Sequence, residues 1–135
     1  MNFKNILINY VLTTVVFLII DMAWLGFIAK NLYQKYLGTF LTDKVNWTAA
    51  LIFYLIYIVG ISIFAIYPAI GKNSATSAAL MGGLFGLFAY ATYDLTNLAT
   101  LKDWPLTIVF IDIAWGFVLT AIVSLVGFYI AKFVN

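Results

Sequence analysis

The sequence predicts an all-α membrane protein: a four-transmembrane-helix bundle with a short amphipathic interfacial helix between spans 1 and 2. Three observations predict it. Of 135 residues, 65% are hydrophobic and only 9% are charged, whereas a soluble domain typically carries about 25% charge. The mean hydropathy is +1.07. Four apolar stretches, at about 6–29, 47–70, 75–101 and 106–131, fill almost the whole sequence, and each matches the roughly 20 residues a helix needs to cross a bilayer. A two-layer soluble fold would leave most of this apolar surface unburied. Residues 1–135 read as a single transmembrane domain, with no linker, low-complexity stretch or second domain.

Span 1 is interrupted by Asp21 and closed by Lys30 and Asn31. A signal peptide also starts with a Lys and an apolar run, but its run is about 7–15 residues and ends at a small-x-small cleavage site. Here the run continues from Ile6 to Ala29 without such a site, so it reads as a retained span. In the first connection, Leu32, Tyr33, Tyr36, Leu37 and Phe40 recur at helical spacing among Lys30, Gln34, Lys35 and Lys44. That pattern predicts an interfacial helix with snorkelling Lys stems, placed to tie spans 1 and 2 or to cover a polar site as a lid. Asn46-Trp47-Thr48 is formally a glycosylation sequon, but it abuts a span and reads as chance. Span 2 holds no charge; its polar groups are Tyr54, Tyr57 and Ser62, and Pro68 with Gly71-Lys72-Asn73 marks a tight turn. Span 3 begins with Ala78, Gly82, Gly83 and Gly86, a small-residue register that lets a neighbouring helix approach closely. Lys102-Asp103-Trp104-Pro105 is a short connection with Pro at the start of span 4, which carries Thr120, Ser124 and Gly127 and ends at Lys132.

The chain has no Cys, His, Arg or Glu. Disulfides, thiolate zinc sites, haem imidazole ligation and Ser-His-Asp chemistry are therefore excluded. No cofactor is expected. The net charge of +2 comes from dispersed Lys without a basic patch, which argues against nucleic acid as a partner. Lys4, Lys72 and Lys132 fall on one side (side A), and Lys30, Lys35, Lys44 and Lys102 on the other (side B). That balance gives no orientation under the positive-inside rule. A multi-pass protein of a bacterial inner (plasma) membrane is expected, with the lipid bilayer, a lipid-like or small-molecule ligand and a second copy of the chain as partners to consider.

The most informative stretch runs from Tyr90 to Thr100. Tyr90, Tyr93, Asp94 and Asn97 are spaced i, i+3, i+4, i+7 and share one helix face. A polar stripe inside an apolar helix faces protein or a water-filled cavity. At 1.5 Å rise per residue, Asp21, Asp94 and Asp112 lie roughly 5, 8 and 9 Å from the centres of their spans, all toward side B. Tyr54 falls at a similar level. No Lys lies at this depth, so the carboxylates are either protonated and hydrogen-bonded to Tyr, Asn97 and Trp N–H groups, or share a cation. The three carboxylates with the Asn97 carbonyl would suit a hard cation such as Mg²⁺, Ca²⁺ or Na⁺. Trp24 and Trp115 would suit an organic cation. The candidate acid/base groups are Asp21, Asp94 and Asp112. The candidate ligand-binding residues are Trp24, Tyr54, Tyr90, Tyr93, Asp94, Asn97, Asp112 and Trp115. The plainer alternative is helix glue, worth about 0.6 kcal/mol per polar contact in membranes. Asp43 and Asp103 fall in connections and read as solvated.

Asp-x-Ala-Trp occurs at 21–24 and again at 112–115. The two spans run in opposite directions, so a simple tandem duplication does not account for it. Asp21-x-x-Trp24-Leu with Leu32-Tyr33, Phe64-Ala-x-x-Pro68-Ala, the block from Gly86 through Tyr93-Asp94-Leu-Thr-Asn97, and Asp112-x-Ala-Trp115-Gly116 together resemble the bacterial DUF2177 family of predicted membrane proteins. The resemblance covers nearly the whole chain. It implies a small multi-pass protein and leaves the activity open. Three functions follow from the residues. The first is binding of a lipid-like or small-molecule ligand, extending to a membrane-embedded enzyme with acid and base roles divided between carboxylates. The second is a proton- or cation-coupled transporter. In size and charge balance the chain is similar to the small multidrug exporters, but those carry one Glu in span 1 in place of three Asp. The third is a structural or accessory membrane subunit.

Overall fold

The computed structural model describes residues 1–135 and contains helices and no strand. Four helices are long and apolar enough to cross a membrane: α1 (Phe3–Ile28), α3 (Trp47–Gly71), α4 (Ala75–Thr100) and α5 (Leu106–Val134). A long apolar helix covers each expected span, with ends shifted by up to three residues. The interfacial helix α2 is Lys30–Leu37. It stops three residues before Phe40, whose ring packs instead on Trp104 at 5.3 Å.

The helix starts are capped where the sequence supplies short polar side chains. Asn2 accepts from the Asn5 N–H, Asn46 from Ala49 and Ser74 from Ser77, each satisfying a donor that the first turn leaves free. Asn46 of the formal sequon therefore has a structural use as the cap of α3. The tight turns fall on Asn73 and Asp103, at φ 49° and 57°, a left-handed region that Asn and Asp tolerate better than other side chains. Gly71 does not supply that conformation, since no glycine has positive φ.

Two spanning helices contain a π-helical turn. In α1 it is Trp24–Ile28, beginning three residues after Asp21. In α3 it is Ser62–Ile66, just ahead of Pro68. A proline lacks an N–H and crowds the carbonyl four residues back, and the widened turn places that defect without ending the span.

Helix α5 is central, and its interface with α4 is the most extensive in the molecule. The α4 stripe Gly82–Gly86 lies directly on it. A Cβ at Gly82 would meet Ser124 and the Thr120 carbonyl, and a Cβ at Gly86 would meet Gly116 and Thr120. Helix α1 covers another side of α5, fastened by the buried Asn9 side chain, which donates to the Gly127 carbonyl at 2.7 Å. Helix α3 behaves differently along its length. From Ser62 onward it packs on α4 and α5, whereas its first half leans chiefly on α1. A cleft is left between α3 and α4 in the side B half. Its floor is aromatic, with Tyr57 and Phe85 at 5.4 Å and the Tyr57 hydroxyl 2.9 Å from Thr120 Oγ1. Helix α2 folds back over the side B end, where Leu37, Trp104, Ile108 and Val109 form a small core.

Candidate functional site

The cleft holds a cavity of about 500 Å³. Helix α1 contributes Asp21, Trp24 and Leu25; α2 contributes Tyr33 and Leu37; α3 contributes Phe53, Tyr54 and Tyr57; α4 contributes Ala89, Tyr90 and Tyr93; and α5 contributes Asp112 and Trp115. Of these, Leu25, Phe53 and Tyr93 remain exposed, so the cavity opens sideways at a level where lipid surrounds the protein. The sequence-predicted residues Asp21, Trp24, Tyr54, Tyr90, Tyr93, Asp112 and Trp115 thus come together around one space.

The two Asp-x-Ala-Trp segments meet there in a reciprocal arrangement. Because α1 and α5 are antiparallel, Asp21 lies level with Trp115, and Trp24 lies toward Asp112. The Trp115 indole donates to Asp21 Oδ1 through a long bond of 3.4 Å, and the Tyr54 hydroxyl donates to Asp21 Oδ2 at 3.0 Å. On the other side the Trp24 indole donates to the Tyr33 hydroxyl at 3.1 Å, and that hydroxyl donates to Asp112 Oδ1. Between the carboxylates the two indoles stack, centroids 4.2 Å apart and planes 9° from parallel. The antiparallel course that argues against a tandem repeat is what lets each motif serve the other. The stack occupies one face of each indole and leaves the other face of each ring outside it.

Two residues of the predicted face stand elsewhere. Asp94 and Asn97 are not in the cavity wall. Asp94 is fully buried and continues the stripe Gly82–Gly86–Tyr90 that faces α5. Asn97 is half-buried. Tyr93 and Asp94 are 100° apart on a helix, so one turns to the cleft and the other to the neighbouring helix. The three aspartates do not gather into one group of the kind that could hold a metal ion. Asp21 is engaged by Tyr54 and Trp115, whereas Asp94 and Asp112 neighbour each other. No Lys supplies the missing positive charge, because every Lys is exposed.

Tyr33 and Tyr57 are wall residues that sequence reasoning did not assign to the site. Tyr57 was legible only as a polar group of span 2. Tyr33 reaches the site because α2 folds back, and burial, reinforced by Asp112, pushes its phenol above the ordinary value. Trp104, from the short connection before α5, is buried beside the site with Tyr93 edge-on at 6.0 Å. Neither spacing nor composition singled it out.

A four-span helical membrane protein with a lateral, aromatic-lined pocket bearing two carboxylates is the class that this architecture defines. The chain belongs to the DUF2177 family, described as predicted membrane proteins, which matches residues 6–129. No curated protein and no solved structure matches it.

Proposed function

We propose that this protein takes a lipid-like or small amphiphilic molecule from the bilayer into the lateral cavity, with Asp21 and Asp112 as the groups that hold or exchange a proton with its polar end. The observation that carries the reading is the combination of an apolar wall, in which 11 of 13 lining residues are hydrophobic, with two carboxylates on opposite sides of a stacked indole pair. The volume lies within the roughly 300–1,000 Å³ usual for small-molecule sites. Helix glue alone gives carboxylates no reason to face a cavity. Each carboxylate already has a phenol and an indole about it, so a bound hydroxyl or amine would join a network whose geometry is set beforehand. An acid/base reaction on that molecule is the enzymatic extension of the same site. We place the protein in the inner (plasma) membrane.

The test is extraction and mass spectrometry of molecules retained by protein purified in lipid nanodiscs. The expected result is an amphiphilic molecule bound by wild type and lost from Trp115→Leu and Asp21→Asn. Identical lipid content in all three would remove the proposal.

A proton-coupled transporter is the second reading. One observation favours it: polar contacts continue from the cavity toward side A, through Tyr57–Thr120, Asn9–Gly127 and Asn5–Asn135. Proton-linked flux in proteoliposomes, abolished by Asp112→Asn, is its measurement.

A further inference from the structure

Asp94 is the most deeply buried carboxylate in the molecule, and the pocket does not use it. Its exposure is 0%, and neither carboxylate oxygen has a hydrogen-bond partner. Its surroundings are fixed by the α4–α5 register. Gly86 lies against Gly116 and Thr120, Tyr90 lies against Gly116, and one turn further on Asp94 comes beside Asp112. The Trp104 indole, also buried and also without an acceptor, is its other polar neighbour. Tyr33 donates to Asp112 from α2. Tyr93 and Asn97 belong to the same helix as Asp94, and Asp21 lies beyond Asp112 across the cavity. None of these groups is cationic.

Two ionised carboxylates are acceptors only. Side by side and away from water they repel, and neither can satisfy the other. One proton changes the contact into an O–H···O⁻ bond, which is short and strong because it is charge-assisted. The buried Trp104 N–H, which has no acceptor, lies on the Asp94 side of the pair.

We propose that Asp94 and Asp112 share a single proton across the α4–α5 interface, and that Asp94 serves as a buried proton partner for Asp112, the member of the pair that faces the cavity. This deepens the acid/base reading of the pocket and rests on it. Asp94 touches no ligand in this scheme; it is a positioning residue that acts through Asp112. When Asp112 gives the shared proton to a bound molecule, the pair is left doubly charged, which favours its return. When Asp112 takes a proton, both carboxyls become neutral. Nothing else is consumed, since the proton moves only between the pair and the bound molecule.

The experiment is infrared spectroscopy of the protein in nanodiscs at neutral pH, without added ligand, so that it reports on the pair even if the ligand proposal fails. The expected spectrum contains a carboxylic-acid band that is lost in Asp94→Asn and in Asp112→Asn and kept in Asp43→Asn, a change in an exposed connection. In Asp94→Asn the amide N–H takes over the hydrogen bond to Asp112, so the fold is kept while the proton is released. Retention of the whole band in Asp94→Asn overturns the proposal. Should that variant not fold, wild type labelled with ¹³C-aspartate is titrated by NMR. Two of the five aspartate carboxyls titrating in concert support the shared proton, and five independent titrations overturn it.

Discussion

Replacing Gly86 by alanine tests the close approach that sets the spacing of α4 and α5. A Cβ at this position would stand 2.7 Å from the Gly116 carbonyl carbon, and nearer still to the Gly116 oxygen and Thr120 Oγ1. Carbon atoms in contact lie about 3.5–4.0 Å apart, so the helices must part by roughly 1 Å at this level. Thr120 can change rotamer, but the Gly116 backbone cannot move without α5. Overpacking of this kind costs about 1–3 kcal/mol. For a chain of this length that corresponds to a melting temperature lower by about 3–15 °C. Four tryptophans and no cysteine make intrinsic fluorescence the suitable melting probe. Gly26→Ala and Gly71→Ala are the controls, because a Cβ at either meets nothing within 4 Å, and both are expected to melt with wild type or slightly above it. Gly127→Ala falls between, since its nearest obstacle is the movable Ile66 Cδ1 at 2.5 Å. Melting of Gly86→Ala together with wild type, or an equal loss in Gly71→Ala, would refute the reasoning.

Further outcomes are expected around the pocket. A double-mutant cycle on Trp24→Leu and Trp115→Leu should give a coupling of about 0.5–1.5 kcal/mol from the stacked rings, measured by thermal melting, and additive losses would deny the stack. Tyr54→Phe removes the shorter of the two hydrogen bonds to Asp21 and should lower stability by about 1–3 kcal/mol, whereas Tyr129→Phe, at an exposed tyrosine of α5, should leave it unchanged. The Tyr33 phenol is raised by burial and by Asp112, so its contribution is fully present below the ordinary phenol value of about 10 and fades as pH climbs through the higher folded value. The melting difference between wild type and Tyr33→Phe should therefore stay constant up to about pH 10 and shrink above it; a difference that grows with alkali would contradict the assignment.

Much of this architecture is legible in the sequence because the bilayer leaves few alternatives. Apolar runs of sufficient length locate the four long helices to within three residues, whereas the caps at Asn46 and Ser74 are seen only in the structure. Depth arithmetic on Asp21 and Asp112 places them at levels that can meet across one space, since it needs only the helical rise and the direction of each span. It cannot say which side of a helix a neighbour takes. The face containing Tyr90, Tyr93, Asp94 and Asn97 is shared between an open cleft and α5, and only the position of α5 divides Tyr93 from Asp94. Tyr33 is legible as part of an interfacial helix able to cover a polar site, though not as a wall residue, and Trp104 is not singled out, for a different reason. They belong to connections, whose return over the bundle is set by packing against Leu37, Ile108 and Val109 rather than by any period.

The π-helical turn at Trp24–Ile28 is equivalent to one residue inserted into an otherwise regular helix. It turns everything after it about the helix axis by about 100° while leaving Asp21 and Trp24 in place. The Tyr33–Asp112 contact therefore depends on chain length between Trp24 and Lys30 more than on the identity of any residue there. Deleting Gly26, where even an added Cβ would meet nothing within 4 Å, would let α1 relax into a uniform helix and swing Tyr33 out of reach of Asp112 with every side chain of the pocket still present.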